Sequence, residues 1–499
     1  MIDPAIYEKY KPLRNFLRRL DLENALYVIW AYINILQFNN PLPRDIEAHP
    51  EFLSKRSTPQ RGLYEWELAL LARELIVNAQ FRPKSGFADL RSWDNLANAT
   101  NKLKGFENDY WPLIGGSHNI LAEIRRIAHR QFPWQSRPNL SLILRYFKIY
   151  SHPDLGHIIE NRFGLSIQQW YFIGFALLGA FLTHPKTNID PDIEINGLSK
   201  KDFDQFVKAT AIDLAPLQEL ITKEIKYDDQ FVYTLNPLEY YPLVRIGEYY
   251  YCPVVNFLAW RITSGIFFDL VKEKGFGHPF GLAFQGYLEE VATTILQGTD
   301  VHVIPEQKYK VGRNAKDSVD LILADSKAAI FVEAKAKRMQ ARSKSQLLSN
   351  EAIERDIAKL TEDVVQTYKT TNDYINGCYP HFKHRAEVEI FPCIVTLEEW
   401  YLLGEDRQRL EKAVRLRLDE LSLPTRHLEE MPFTVCSSET FENLTQVLRK
   451  RSIQEVMRNW HKPEFSGHEF GQHLATTYKG EFGVLTDFFP EETEAIFPI

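Results

Sequence analysis

Apolar residues recur every three or four positions through most of the first 230 residues of this 499-residue chain. This spacing is typical of amphipathic helices. The segments that show it are residues 20–36, 62–79, 113–131 and 140–150. A continuous apolar run over residues 170–182 is shorter than the roughly 20 residues that cross a bilayer, so it predicts a buried helix with Ser166 as its N-cap. Ser199 and Asp202 mark the start of another helix, and residues 1–230 are predicted to form a helical domain.

The pattern changes near residue 230, where aromatic and β-branched residues follow one another in short runs. Residues 231–234 and 248–253 are predicted to be strands, and residues 256–271 an apolar helix. A break rich in glycine and proline follows at residues 275–279. Residues 231–274 are therefore predicted to connect the helical domain to a second domain.

Strands and helices alternate beyond this break. The predicted order is helix 282–296, strands 301–311, 318–324 and 328–336, helix 350–371 and strand 387–396. Residues 401–499 add a charged helix over 406–421, a short strand over 432–436 and further helix, and this extension is expected to pack on the core. The predicted fold class is α+β, or mixed α/β, with a central sheet within residues 275–400.

Polar residues interrupt two apolar strands of this predicted sheet. Asp320 lies in one strand, and Glu333 and Lys335 lie in the next. Because side chains alternate along a strand, Glu333 and Lys335 point to the same face, and a turn at residues 325–327 lets Asp320 converge on them. Carboxylates and backbone carbonyls, such as that of Ala334, suit Mg²⁺, while a lysine can orient or help deprotonate water and offset developing charge. The set therefore suits hydrolysis of a phosphodiester bond.

A second match to this spacing occurs at Asp213, Glu224 and Lys226. The intervening residues 214–225 have helical periodicity, and Asp213 lies where a helix N-cap is expected. Such spacing alone is weak evidence, so the two apolar strands and their tight turn favour the Asp320 set. The alternative interpretation of that set is a structural ion pair at the edge of a sheet.

The arrangement of Asp320, Glu333 and Lys335 resembles the PD-(D/E)XK nuclease superfamily, whose restriction-endonuclease-like core has the order αβββαβ. The resemblance covers residues 281–396. It implies that Asp320 and Glu333 bind Mg²⁺ or Mn²⁺ and that Lys335 is the catalytic lysine. It also implies DNA as the substrate, because most of the superfamily acts on DNA. A nuclease joined to a large helical domain is similar to bacterial anti-phage defence effectors as well.

Three positions bear on how well the chain matches this family. Many members carry a helix of the form G-x-x-F-E-x-Y-[VL], whose glutamate can assist the metal, and residues 281–288 fit this form with Gln285 in place of the glutamate. Glu289 lies one turn later on the same helical face and could substitute for it. Val319 stands where the family has a proline before the aspartate, and Gln366 resembles a polar residue that some members use on the following helix.

Charge is distributed unevenly along the chain. Lys and Arg total 59 against 66 Asp and Glu, and the net charge of −7 excludes a histone-like or ribosomal type of polypeptide. Residues 301–350, however, carry ten basic and five acidic residues. Among these, Lys337, Arg338, Arg342 and Lys344 are candidate contacts to nucleic-acid phosphates, or else belong to a solvated loop. The four cysteines form no C-x-x-C pair, which is typical of a reduced cytoplasmic protein.

The sequence thus predicts a cytoplasmic, Mg²⁺-dependent endodeoxyribonuclease that binds no membrane. The helical domain at residues 1–230 is expected to sense a signal, dock a partner protein or form a homo-oligomer. One alternative is a non-catalytic nucleic-acid-binding or assembly protein with a degenerate nuclease fold, which Gln285 favours. Another is a metal-dependent ribonuclease, because the residues of the site do not distinguish DNA from RNA.

Overall fold

The computed structural model describes residues 4–49, 62–81, 87–110, 120–135, 139–189, 197–228, 230–345 and 351–496. It shows a mixed α and β protein whose described residues separate into two compact units. The first unit contains the described residues up to 139, residues 153–274 and Ile496. The second contains residues 140–152 and 275–495, so the predicted helix at 140–150 belongs with the second unit.

Helices form most of the first unit. In chain-order numbering they are α1 (Pro4–Leu17), α2 (Leu22–Phe38), α3 (Glu65–Asn78), α4 (Trp93–Tyr110), α5 (Ile120–Gln135), α7 (Pro153–Phe163), α8 (Ile167–Thr183), α9 (Lys200–Thr210), α10 (Leu214–Glu224), α11 (Val255–Ile262) and α12 (Phe267–Leu270). The cap predicted for α8 is confirmed, since Ser166 Oγ accepts from the backbone N–H of Gln169 at 3.2 Å. The helix predicted over 113–131 corresponds to α5, and its first part, at 113–119, lies outside the described residues.

The apolar run predicted to be a buried helix forms most of α8, and Trp170 and Phe181 within it are buried. Among the described residues, no single helix has the length and apolar character needed to cross a membrane. By length and composition alone, α7 and α8 taken together meet that requirement, with a bend of 59° between them.

A small sheet of order β1-β4-β3-β2 also lies in the first unit and departs in part from the prediction. Its strands are β1 (Lys186–Thr187), β2 (Ala211–Asp213), β3 (Leu243–Ile246) and β4 (Tyr249–Tyr251). The strand predicted at 231–234 is wrong: these residues form a turn, and the Arg73 guanidinium donates to the Phe231 carbonyl at 3.1 Å. The helix predicted over 256–271 breaks after Ile262, because Thr263 leaves the helical conformation with ψ at −100°.

A five-stranded sheet of order β11-β10-β9-β8-β5 forms the centre of the second unit. The strands β5 (His302–Pro305), β8 (Leu321–Ala324) and β9 (Ala328–Lys335) are antiparallel neighbours. The strands β9, β10 (Glu389–Thr396) and β11 (Thr434–Ser437) are parallel to one another. The turn predicted between β8 and β9 is present, so Leu321 pairs with Val332.

The strand predicted over 301–311 is divided into two. Pro305 ends β5, where it has no N–H to extend the hydrogen-bonded ladder. The chain resumes as β6 (Lys308–Val311), which pairs with β7 (Asn314–Asp317) in a separate two-stranded sheet. This hairpin is therefore an insertion in the connection between β5 and β8, which pair directly with each other in the central sheet.

Helices pack around this sheet. They are α6 (Leu140–Tyr150), α13 (Gly277–Leu296), α14 (Ala341–Ser345), α15 (Glu351–Ile375), α16 (Glu405–Glu420), α17 (His427–Glu430), α18 (Ser438–Leu448), α19 (Ile453–Trp460), α20 (Phe470–Thr477) and α21 (Pro490–Ile496), whose last residue belongs to the first unit. The longest, α15, contributes Leu360, Val364 and Tyr368 to the same buried core as Phe331 of β9 and Ile394 of β10. Leu360, Val364 and Tyr368 are spaced four residues apart and therefore lie on one face of the helix.

A buried ion pair joins three of these helices. The guanidinium of Arg145 on α6 donates to Glu442 on α18 at 2.8 Å, and the hydroxyl of Tyr287 on α13 donates to the same carboxylate at 2.7 Å. Arg145 is 3% exposed and Glu442 is 1% exposed. Charges this deeply buried are tolerated only when they are paired and hydrogen-bonded.

We expect Arg145→Met to lower the free energy of unfolding by about 3–5 kcal/mol, because Glu442 would be left buried without its cation. Urea unfolding followed by circular dichroism measures this loss. Arg415→Met is the matched control, since Arg415 pairs with Glu429 where both side chains are about half exposed, and it should have little effect. Equal losses of unfolding free energy in the two variants would contradict the argument that burial makes the Arg145–Glu442 pair important for stability.

Candidate functional site

Asp320 lies at the entrance to β8, one residue before the strand begins at Leu321. Its carboxylate accepts a hydrogen bond from the backbone N–H of Ala334 on β9, with an N–O distance of 2.6 Å. This contact crosses between neighbouring antiparallel strands, so the β8–β9 register brings Asp320 beside the segment that carries Glu333 and Lys335.

Glu333 and Lys335 share one face at the end of β9. The Lys335 ammonium donates to Glu333 Oε1 at 2.7 Å, whereas Val332, the residue before Glu333, is fully buried in the core. The alternation of side chains along a strand produces this arrangement. The structure therefore brings Asp320, Glu333 and Lys335 together at the end of the β8–β9 pair where β8 begins and β9 finishes.

Burial and neighbouring charges shift the pKa values of both carboxyl groups. Burial, with the Glu333 carboxylate second, raises the pKa of Asp320 to about 7, although the Ala334 N–H and Lys335 oppose the shift. Burial also raises the pKa of Glu333, against the opposing effect of Lys335. Two ionised carboxylates are therefore unfavourable here unless additional positive charge is present.

Lys335 responds in the opposite way. Burial alone would lower its pKa, but the Glu333 carboxylate at 2.7 Å and the more distant Asp320 outweigh burial and raise the pKa above its usual value. The side chain is therefore protonated at neutral pH. This favours a role as a fixed positive charge and hydrogen-bond donor over a role as a general base.

Two carboxylates that the sequence analysis did not select lie close enough to act on this pair. Glu306, just after β5, influences both Asp320 and Glu333, and Asp363 on α15 influences Glu333. Asp363 is 8% exposed. Asp363 has no local signal in the sequence, because it reaches the site through the fold. The one local feature of Glu306 is its position directly after β5.

Gln285 on α13 is hydrogen-bonded to one of these two carboxylates. Its side-chain amide donates to Glu306 at 3.0 Å. Glu289, one turn further along α13, is half-buried, and Gln366 on α15 is exposed. Gln285 thus holds a carboxylate near the site, although it is not one itself.

The basic residues that follow β9 are engaged within the protein. The Lys337 ammonium donates to Asp363 at 2.8 Å, and Lys344 pairs with Glu398. Arg338 is largely buried, and its guanidinium donates to the Tyr146 hydroxyl on α6 at 3.0 Å. Arg342 lies in α14, but its side chain is outside the described residues. Phosphate contact by this group remains a prediction, and it would require exchange of these internal partners.

The second motif match has a different setting. Asp213 ends β2 and immediately precedes α10, which spans Leu214–Glu224 as its periodicity predicted. Its carboxylate and Lys226 therefore lie at opposite ends of a helix.

The residues at the Asp320 site fit a hard divalent cation of the Mg²⁺ type. In the part of the chain that the structure describes, no group of three or more His, Cys, Asp and Glu side chains is arranged to hold a metal ion. Mg²⁺ is commonly bound through one or two carboxylates, with water and substrate phosphate oxygens completing its shell. Burial, together with neighbouring carboxylates, raises the pKa of both Asp320 and Glu333, and a bound cation would offset this cost of ionising them. Asp320 and Glu333 would hold it, and Lys335, hydrogen-bonded to Glu333, would lie beside it.

Comparisons with known proteins add nothing to this geometry: no family model matches the chain, and no curated protein or solved structure matches it.

The raised pKa of Asp320 has a consequence for stability. Since the folded-state value lies above that of the unfolded chain, near 3.9, the folded protein binds more protons between about pH 4 and 7. Stability should therefore fall as pH rises through this window. Asp320→Asn removes this loss, and in metal-free buffer we expect the variant to be about 1–2 kcal/mol more stable than the parent at pH 8.

Urea unfolding at pH 5 and pH 8 measures the difference, which should be much smaller at pH 5. Asp419→Asn, which changes an exposed carboxylate on α16, is the matched control and should show no such pH dependence. A difference between Asp320→Asn and the parent that is the same at both pH values would contradict the argument.

Proposed function

We propose that this protein is a metal-dependent nuclease of the PD-(D/E)XK type that hydrolyses phosphodiester bonds, with DNA as its substrate. The convergence of Asp320, Glu333 and Lys335 across the β8–β9 pair is the observation that carries the proposal. Two neighbouring carboxylates next to a protonated lysine match the charge requirements of phosphodiester hydrolysis.

The order of elements around the site supports the same proposal. Helix α13 precedes the antiparallel strands β5, β8 and β9, and α15 then leads to β10, which lies parallel to β9. This is the order αβββαβ once the β6–β7 hairpin is treated as an insertion. The similarity concerns topology alone, and it supports the proposal because Asp320, Glu333 and Lys335 lie at the second and third strands of this order.

Asp320, Glu333 and Lys335 would each have a distinct role in the reaction. Asp320, held in place by the Ala334 N–H, and Glu333 provide the negative oxygens that bind a cation. When bound, a divalent cation would lower the pKa of a coordinated water and neutralise charge on the phosphate. Lys335, fixed by its hydrogen bond to Glu333, would orient the attacking water and offset charge that develops on the phosphate oxygens.

Purified protein is expected to cleave DNA only when Mg²⁺ or Mn²⁺ is present. Asp320→Ala and Lys335→Ala should each reduce the rate by about 100-fold or more, since loss of one electrostatic group at a transition state typically costs that much. Gel assays on plasmid, linear duplex and single-stranded DNA, with an RNA of matched sequence, measure the effect. Faster cleavage of the RNA would favour the ribonuclease alternative.

Lys226→Ala is the matched control, because it removes a lysine from the rejected motif, and it should leave the rate unchanged. A second measurement separates the nuclease from a non-catalytic nucleic-acid-binding protein. Mn²⁺ should raise the melting temperature of the parent and have little effect on Asp320→Asn. Cleavage that survives both Asp320→Ala and Lys335→Ala would refute the proposal.

A further inference from the structure

The β6–β7 hairpin, residues 308–317, forms an arm attached directly to the candidate site. Its two strands hydrogen-bond to each other and lie outside the central sheet. At its base the Ser318 N–H donates to the Gln307 carbonyl at 3.0 Å, and the Gln307 N–H donates back to Ser318 Oγ at 2.9 Å. One strand of the arm therefore begins next to Glu306, and the other leads into Asp320.

One face of the arm is anchored to the protein. Tyr309 is 3% exposed, and its hydroxyl donates to Asp373 near the end of α15 at 2.7 Å. Lys316, directly opposite Tyr309 in the ladder, donates to the same carboxylate at 2.7 Å. The Tyr309 ring also packs against that of Tyr379, with centroids 4.7 Å apart. These contacts fix the orientation of the arm.

The other face of the arm is cationic and exposed to solvent. Lys308 and Lys310 point away from Tyr309 because side chains alternate along a strand. Arg313 lies in the two-residue turn at the tip, which Gly312 permits with φ at 61°. All three cations are exposed, and none has a hydrogen bond or ion pair within the part of the chain that the structure describes. Asp317, opposite Lys308, is the acidic residue of this face, so the outer surface has excess positive charge.

The basic residues after β9 were expected from the sequence to contact phosphates, but the structure leaves the cations of the arm more available. Lys337 and Lys344 are partnered by Asp363 and Glu398, whereas Lys308, Lys310 and Arg313 are available without breaking any internal contact. A cation without an internal partner contributes more fully to binding a polyanion, because its counterions are released and no ion pair is lost.

We propose that the β6–β7 arm binds the backbone phosphates of duplex DNA and thereby delivers the strand to the Asp320 site; this rests on the proposed nuclease function. A two-stranded ribbon is narrow enough to enter the major groove of B-form DNA, whereas the corresponding groove of A-form RNA is too deep and narrow for side chains to read. The anchored inner face keeps the three cations facing outward, in a fixed position relative to Asp320.

The test compares two triple variants with the same change in charge. One combines Lys308→Gln, Lys310→Gln and Arg313→Gln, and the other combines Lys412→Gln, Lys462→Gln and Lys479→Gln, which are exposed lysines elsewhere in the second unit. Both are made in the Lys335→Ala protein, with Mg²⁺ present, so that DNA is bound but not cut. Fluorescence anisotropy with a short labelled duplex then gives the affinity over a range of salt concentrations.

The arm variant should bind about tenfold or more weakly at moderate salt. Its plot of log affinity against log salt should be shallower by about 2 to 3, because roughly 0.9 is lost for each phosphate contact removed. The control variant should match its parent, and both should keep the parent's melting temperature, since no internal contact is lost.

Three results would overturn the proposal. Equal binding by the two triple variants, with cleavage by the unmodified protein intact, would refute the arm while leaving the nuclease function in place. An unmodified protein that neither binds nor cuts nucleic acid would refute both. The arm would have a different partner if its substitutions weakened binding to duplex RNA, or to vesicles containing anionic lipid, more than they weakened binding to duplex DNA.

Discussion

Two carboxylates, Asp320 and Glu333, are held next to each other in a largely buried position at the end of neighbouring strands, and the surrounding structure compensates for their repulsion. The Ala334 N–H stabilises one of them and the Lys335 ammonium stabilises the other. These contacts do not fully offset burial and the repulsion by Glu333, because the pKa of Asp320 remains about 7. The rest of the fold therefore keeps these two carboxyl groups together at a cost in stability, and shifted pKa values of this kind are common at functional sites.

The central sheet and α15 supply the rigidity that this arrangement needs. The pairing of Leu321 with Val332 fixes the position of Asp320 opposite β9, and a one-residue slip would turn Glu333 and Lys335 into the core. Tyr368 and other residues of the buried face of α15 pack against β9 and β10, and the same helix presents Asp363 at the site and Asp373 beneath the arm. One helix thus supports the sheet, holds Lys337 and anchors the β6–β7 arm.

The parts of this structure that were predicted from the sequence are those that depend on local pattern. Alternation along 328–335 and the turn at 325–327 were sufficient to place Glu333 and Lys335 beside Asp320. Glu306 and Asp363 could not be identified in this way, because they reach the site from elements that are distant in sequence and carry no motif. Segment 231–234 was predicted wrongly because the aromatic residues that suit a strand also suit a buried turn between helices.

The number of basic residues in a segment can be read from the sequence, but whether they are free to bind a partner depends on contacts that are distant in sequence. The excess of basic residues over 301–350 is visible in the sequence, but which of them are available depends on contacts with Asp363, Asp373 and Glu398, all outside that segment. Those acids neutralise the loop after β9 and the inner face of the arm, and leave the outer face of the arm positive. In the proposed nuclease, Asp320 and Glu333 would repel the phosphates of the substrate, and the nearby positive surface of the arm would offset that repulsion.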